Sequence, residues 1–131
     1  MTPPPGTIMR AAHYPGRAPI DAYGDGGFRF AGMSHRGSLL CLPSGIFAWP
    51  VARAGEMDRE SLAAVIAEAD NIDVLLVGTG RELTPLPRPL REALSGVRII
   101  AEPMSTGAAV RTFNVLLAEE RAVAAALIAV D

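Results

Sequence analysis

A strand, a helix and a second strand in close succession constrain the fold more than any other feature of the sequence. Ile72–Val77 is an apolar run interrupted only by Asp73, which is typical of a strand covered on both faces. Apolar residues at helical spacing follow, and that helix is predicted to end at Gly96. Val97–Ala101 is predicted to be a second buried strand. The connection is long enough for a crossover, so we expect the two strands to be parallel neighbours.

The residues before this unit predict β structure. The Gly24–Gly27 cluster predicts a turn, followed by a strand at Phe28–Phe30. Further short strands are predicted at Gly37–Leu42 and Ile46–Val51. Because only short turns separate them, we expect a small antiparallel layer at the N-terminal end of the domain.

Two more helices and a last strand complete the prediction. Leu62–Ala69 has the apolar stripe of an amphipathic helix, with Asp58 as its N-cap, and another helix is predicted from Ser105 or Thr106 to Glu119. Val123–Val130 is alanine-rich, which favours a helix, but it is apolar on every side and short, so we favour a central strand. The prediction is one α/β domain at residues 16–131 after a flexible, proline-rich tail at residues 1–15.

Composition excludes several classes of function. The 131 residues carry a net charge of −2, and all 12 basic residues are arginine, so we expect neither nucleic-acid binding nor lysine chemistry. A single cysteine indicates a reducing compartment. The longest uncharged stretch, Gly37–Ala52, is shorter than a membrane span and is interrupted by proline and glycine. We therefore expect a cytoplasmic protein that does not insert into a membrane.

The candidate site lies where the parallel strands end, because ligands in open α/β sheets bind beyond the carboxyl ends of the strands. The turn after the first strand and the start of the following helix are expected to lie side by side there. One interpretation is structural: Arg111 pairs with a carboxylate, and Asn114 and Thr112 bond to loop backbone, which fixes the Gly78 turn. The alternatives are an anionic ligand at the helix N-terminus and, least favoured, a catalytic role. The candidate residues are Gly78, Thr79, Gly80, Thr106, Arg111, Thr112 and Asn114.

Isolated reactive residues give weaker signals. Cys41 lies in an apolar run, which favours a buried, inert thiol over a nucleophile. His13 lies near the tail and His35 in a predicted turn, and neither has a second ligand at metal spacing, so we expect no metal site. Trp49 is interpreted either as a core residue, which we favour, or as a partly exposed anchor for a partner.

Taken together, several spaced segments resemble a small family of unknown function shared by bacteria, archaea and the mitochondrial respiratory complex I assembly factor three. The resemblance runs from about Ile20 to the end of the chain. The segments that carry it are Ile20-x-x-Tyr23-x-x-Gly26-Gly27-Phe28, His35-Arg36-Gly37-Ser38, Trp49, Val77-Gly78-Thr79-Gly80, Met104-x-Thr106-x-Ala108-Ala109-x-Arg111-Thr112-Phe113-Asn114 and Glu119-x-Arg121.

This resemblance implies a three-layer fold with a mixed central sheet whose last strand runs antiparallel to the others. It also implies a non-enzymatic role in assembling a membrane-bound respiratory complex together with a partner protein, without a cofactor. Relatives often have Asp, Cys and Tyr where this chain has Ser105, Val110 and Phe113, so no shared chemistry can require those groups.

Two functional hypotheses follow. The first is an interaction protein that assists assembly of a respiratory or other membrane complex, binding its subunits or another assembly factor and reaching the inner membrane only through that partner. The second is a small-molecule binder, or an enzyme, with an anion held between the Gly78–Gly80 turn and the Arg111–Asn114 segment.

Overall fold

The computed structural model describes residues 14–131 and contains two β-sheets. The smaller sheet is antiparallel, in the order β1-β2-β3, and the larger is mixed, in the order β5-β4-β8-β6-β7. The strands are β1 (Ile20–Gly24), β2 (Gly27–Phe30), β3 (Met33–Arg36), β4 (Ser38–Leu42), β5 (Gly45–Trp49), β6 (Val74–Gly78), β7 (Ile100–Met104) and β8 (Val123–Leu127).

Three α-helices lie against the larger sheet: α1 (Ala63–Ala67), α2 (Arg88–Gly96) and α3 (Thr106–Ala118). The predicted helix at Leu62–Ala69 is in fact a short α1 flanked by 3-10 turns at Glu60–Leu62 and Ala69–Asn71. The predicted end of α2 at Gly96 and the predicted cap of α3 at Ser105 are confirmed. No helix within residues 14–131 is long and apolar enough to cross a bilayer.

The α/β class and the mixed sheet are confirmed, but the expected direction of the last strand is wrong. β8 is parallel to β6, which is parallel to β7, and β8 is antiparallel only to β4. The physical reason is α3, whose 13 residues extend about 20 Å. This length returns the chain to the end of the strands at which β7 began, so β8 starts from that same end. β4 is therefore the strand that runs opposite to its neighbours on both sides.

Three further expectations need correction. β4 and β5 belong to the larger sheet rather than to the N-terminal layer, because β4 pairs with β8 and is buried along its whole length. His35 lies in β3 and not in a turn. The predicted strand at Val97–Ala101 begins only at Ile100, after a turn in which Arg98 has φ +65°, and it is a partly exposed edge strand.

Alternate side chains of the larger sheet supply two separate apolar clusters. Along β8, Ala124 and Ala126 face the cluster that α1 and α2 cover, whereas Ala125 and Leu127 face the cluster that α3 and the small sheet cover. The three-layer arrangement is thereby confirmed, with β8 as its central strand.

The predicted N-terminal tail overlaps the described part of the chain at two residues. Tyr14 forms an antiparallel bridge with Ile46 of β5, and the Ile46 amide donates to the Tyr14 carbonyl at 2.9 Å. Tyr14 is therefore bonded to the domain, and residues 1–13, including His13, lie outside the described residues.

Candidate functional site

The turn after β6 and the start of α3 lie side by side, as the sequence predicts. The Thr79 amide donates to the Met104 carbonyl at 2.9 Å. Gly80 and Thr106 bond to each other twice: the Thr106 amide donates to the Gly80 carbonyl at 2.7 Å, and the Gly80 amide donates to Thr106 Oγ1 at 3.1 Å. We call this arrangement the strand-end corner, defined by Gly78, Thr79, Gly80 and Thr106.

Polar groups of the strand-end corner bond inward. Thr106 is completely buried, and its hydroxyl donates to the Ile128 carbonyl at 2.7 Å. Thr79 is also buried, and its hydroxyl accepts from the Thr84 amide at 2.9 Å. A Cβ at Gly78 would lie 2.9 Å from the Thr106 Cα, so only glycine permits this close approach. The Thr79 and Thr106 hydroxyls are thus hydrogen-bonded within the protein, and the strand-end corner has a structural role.

Asn114 also bonds within the protein. Its side-chain Oδ1 accepts from the Ile20 amide at 2.9 Å, and its Nδ2 donates to the Ile20 carbonyl at 2.8 Å. These bonds join α3 to the start of β1, so the expectation that Asn114 fixes the Gly78 turn is wrong. Thr112, beside it on α3, is half-buried.

Arg111 is exposed on α3, and the carboxylate partner expected for it is not found within residues 14–131. The ion pairs there are Arg53–Glu56, Arg88–Glu92 and Arg121–Glu119. Thr79, Thr106 and Asn114 are thus bonded within the fold, although the bonds of Asn114 lie away from the Gly78 turn, and Arg111 has no carboxylate partner within residues 14–131.

Arg111 lines a surface cavity of about 270 Å³ beside the strand-end corner. Of the other residues predicted for the site, only Gly80 also lines this cavity. Tyr23 covers the first turn of α3, since a Cβ at Gly107 would overlap the Tyr23 hydroxyl. The complete lining is Tyr23, Gly80, Arg81, Ser105, Gly107, Arg111, Val130 and Asp131.

Sequence reasoning about the site missed Tyr23, Arg81 and Asp131. Arg81 follows the Gly78–Gly80 turn directly, so its position was available as a signal. Tyr23 and Asp131 reach the cavity from the small sheet and from beyond β8, and no local pattern indicates that proximity.

Within residues 14–131, neither the Cys41 thiol nor the side chains that can bind metals form a reactive or metal-binding arrangement. Burial raises the pKa of the Cys41 thiol to about 12, so the thiolate is not available near neutral pH. The His35 Nε2 lies 3.2 Å from the Ser38 carbonyl oxygen. Residues 14–131 contain no group of three or more His, Cys, Asp or Glu side chains placed to hold a metal ion.

Trp49 belongs to the core rather than to an exposed surface. Its side chain is 4% exposed, and its indole N–H donates to the Ser61 carbonyl at 2.7 Å. Trp49 nevertheless lines a second and larger cavity, of about 780 Å³, which we call the Trp49 groove. Its lining residues are Leu40, Leu42, Phe47, Ala48, Trp49, Pro50, Val51, Glu56, Asp58, Glu60, Ser61, Ala63, Ala64, Ala67 and Glu68. The sequence analysis did not predict this groove.

The chain is similar to bacterial proteins over nearly its whole length. It is 42% identical over 119 residues to an uncharacterised protein of Rhodobacter capsulatus, covering 91% of this chain and 90% of that protein. A crystal structure described as an outer membrane protein from Bartonella henselae is 60% identical, with a TM-score of 0.88, and the match covers 91% of this chain and all of that chain.

A more distant similarity is to NADH dehydrogenase (ubiquinone) 1 alpha subcomplex assembly factor 3. The zebrafish (Danio rerio) protein is 35% identical over 109 residues, which is 83% of this chain but only 63% of that longer protein. The family model described as "Protein of unknown function (DUF498/DUF598)" matches residues 20–128. This match covers the two sheets and the three α-helices described within residues 14–131, and the chain therefore belongs to the DUF498/DUF598 family.

Proposed function

We propose that this protein is a non-enzymatic interaction protein that assists assembly of a respiratory or other membrane protein complex. The observation that carries the proposal is the 35% identity to a protein named as an NADH dehydrogenase assembly factor, over 83% of this chain. In this proposal the protein works in the cytoplasm and reaches the membrane through its partner.

The geometry of the predicted site supports a binding role over a catalytic one. Thr79, Thr106 and Asn114 direct their hydrogen bonds into the fold, and Cys41 is buried. The cavity beside Arg111 offers guanidinium, hydroxyl and carboxylate groups, which suit recognition of a partner through hydrogen bonds and charge.

The test is a deletion of the gene in the source organism, followed by separation of the membrane complexes on native gels. We expect less fully assembled NADH dehydrogenase, with accumulation of partial complexes, and restoration by the wild-type gene. Normal amounts of every assembled respiratory complex in the deletion strain would contradict the proposal.

A second candidate function is anion binding in the cavity beside the strand-end corner. The observation that favours it is that Arg81 and Arg111 both line this cavity, whereas the ion pairs within residues 14–131 involve other arginines. Two guanidinium groups beside the first turn of α3 would attract a phosphate or carboxylate group.

Titration with inorganic phosphate and with citrate, monitored at the Gly80 amide by NMR, tests this candidate. We expect Arg111→Ala to abolish saturable shifts, whereas Arg91→Ala, at an exposed position on α2, leaves them unchanged. Because Arg111 is exposed and forms no ion pair with the described residues, its replacement should change the free energy of unfolding by less than about 0.5 kcal/mol. Equal phosphate shifts in both variants would refute the candidate.

A further inference from the structure

The Trp49 groove has two apolar walls, which are formed by side chains of different size. The β4–β5 hairpin supplies large side chains, among them Leu42, Phe47 and Trp49. The opposite wall is α1, which contributes Ala63, Ala64 and Ala67. Because alanine side chains are short, the space between the helix and the hairpin stays open. The volume of about 780 Å³ lies within the range of sites that enclose drug-sized ligands or several side chains.

The groove exists because the β4–β5 hairpin on this side of the sheet is covered only by short elements, whereas α2 packs against β7 at the other edge. α1 has five residues and the flanking 3-10 turns have three each, whereas α3 on the other side has 13 residues in one continuous helix. Phe47 and Ala48 of β5 remain half-buried at this edge. Apolar surface at the edge of the core is therefore left for another molecule to cover.

The charged residues that line the groove are all acidic: Glu56, Asp58, Glu60 and Glu68. Three of these carboxylates accept hydrogen bonds from backbone amides, namely those of Ala52, Ser61 and Ser44, which fixes their positions.

Among these carboxylates, Glu56 has a countercharge nearby, but the ion pair is weak. Arg53 lies 3.7 Å from Glu56, but its side chain is 82% exposed, so solvent screens that ion pair. The groove therefore presents an apolar floor with a negatively charged rim.

We infer that the Trp49 groove binds an amphipathic helix of a partner protein, with apolar side chains toward the hairpin and arginine or lysine side chains toward the rim. Charge complementarity selects the basic partner. Helix-in-groove binding suits the apolar floor better than strand addition, because the Ile46 amide of β5 already donates to Tyr14. This inference rests on the proposed function, since it names the surface that an assembly partner would contact.

The test uses the whole chain and two synthetic helical peptides of about 18 residues, a length at which an isolated helix can form. Both peptides carry the same leucine face, but one has arginine on its polar face and the other has glutamate. Trp49 is the only tryptophan in the sequence, so its emission reports directly on the groove. We expect the basic peptide to shift the Trp49 emission saturably and to bind more weakly as salt is added, and the acidic peptide to cause no shift.

Three variants separate groove binding from general attraction between charges. Glu60→Lys reverses an exposed rim charge and should weaken binding about three- to tenfold. Its control, Glu102→Lys, makes the same charge change on β7 at the opposite edge of the sheet and should weaken binding less than about twofold. Ala67→Arg puts a long, positively charged side chain into the groove from an exposed position and should abolish the emission shift. Equal losses for Glu60→Lys and Glu102→Lys, or equal binding of both peptides, would overturn the inference.

Failure of this inference and failure of the proposed function are distinguishable. If the deletion strain lacks assembled complex but Ala67→Arg restores assembly as well as the wild-type gene does, the assembly role stands and the groove is not its surface. If the basic peptide binds in the groove but the deletion strain assembles its complexes normally, the groove is a binding site and the assembly role is wrong.

Discussion

The two faces of the larger sheet are closed to different degrees. On one face α3 and the three-stranded sheet bury a cluster that includes Cys41, Ala109 and Phe113. On the other face the short α1 covers only part of the hairpin, which leaves the Trp49 groove. Both clusters are apolar, so hydrophobicity alone does not distinguish them. The faces differ instead in the helices that cover them, because α1 and α2 have five and nine residues, whereas α3 has 13 in one continuous helix.

Polar groups on the two sides are used differently as well. Thr106 and Asn114 on the closed side bond to backbone within the fold. Around the groove, Glu60 is exposed, and Glu68 accepts a bond from the Ser44 amide while lining a space that is open to solvent. Two of the residues predicted for the site therefore maintain the closed face, whereas alanines and carboxylates outside that predicted set line the open one.

The largest expected effect concerns the rate at which Cys41, on the closed face, is labelled by a thiol reagent. Cys41 is buried between β4 neighbours on the closed face, so a thiol reagent can reach it only after a large opening of the protein. We expect alkylation at pH 8 to be at least about 1,000-fold slower in the native protein than in urea, since global opening costs several kcal/mol. A native rate within tenfold of the unfolded rate would mean that the closed face opens readily.

The same burial predicts an alkaline loss of stability. The pKa of Cys41 is raised from 9.0 to about 12 in the folded protein, so between these values the unfolded chain releases the thiol proton and the folded chain keeps it. The stabilising contribution is therefore complete below pH 9 and is lost as the pH rises toward 12. The chain has no lysine, a residue whose ordinary pKa lies in this range. Urea unfolding against pH should show a smaller alkaline loss for Cys41→Ala than for the wild type, and equal losses would contradict this assignment.

The strand-end corner should be the next most sensitive element. Thr106→Val keeps the shape of the side chain but removes the hydroxyl that bonds to Ile128 and Gly80. Leaving both partners without that bond should lower the free energy of unfolding by about 2–3 kcal/mol. Thr106→Ser retains the hydroxyl and should cost about 1 kcal/mol for the lost methyl group. If the valine variant were as stable as the serine variant in urea unfolding, the hydroxyl would not hold the corner.

Much of the fold could be predicted because the relevant patterns are local. The apolar run of β6, the cap at Ser105 and the glycine that ends α2 each depend on a few neighbouring residues, and each is confirmed. The positions of β4 and β7 could not be predicted in the same way. Strand order depends on pairing between distant segments, such as β4 with β8, which no short pattern records.

The site was only partly predictable for a similar reason. The rule for parallel strand ends correctly predicts that Gly80 and Thr106 lie together. The spacing along α3 does not reveal that Asn114 bonds to Ile20 or that Arg111 is exposed. The Trp49 groove was missed because it is an absence of side-chain volume between a hairpin and a helix. Such a gap depends on how short α1 is, whereas the periodicity predicted a longer continuous helix.

A matched pair of helix substitutions should give the smallest but most direct comparison of the two faces. Ala109 of α3 is completely buried, whereas Ala67 of α1 is exposed and lines the groove. Alanine and leucine have similar helix propensities, so replacing each with leucine mainly tests the available space. We expect Ala109→Leu to lower the free energy of unfolding by about 2 kcal/mol through overpacking, and Ala67→Leu to change it by less than about 0.5 kcal/mol. Urea unfolding of both variants measures the difference. Equal losses would mean that the groove is closed in solution, and the open face would then have no room for a partner helix.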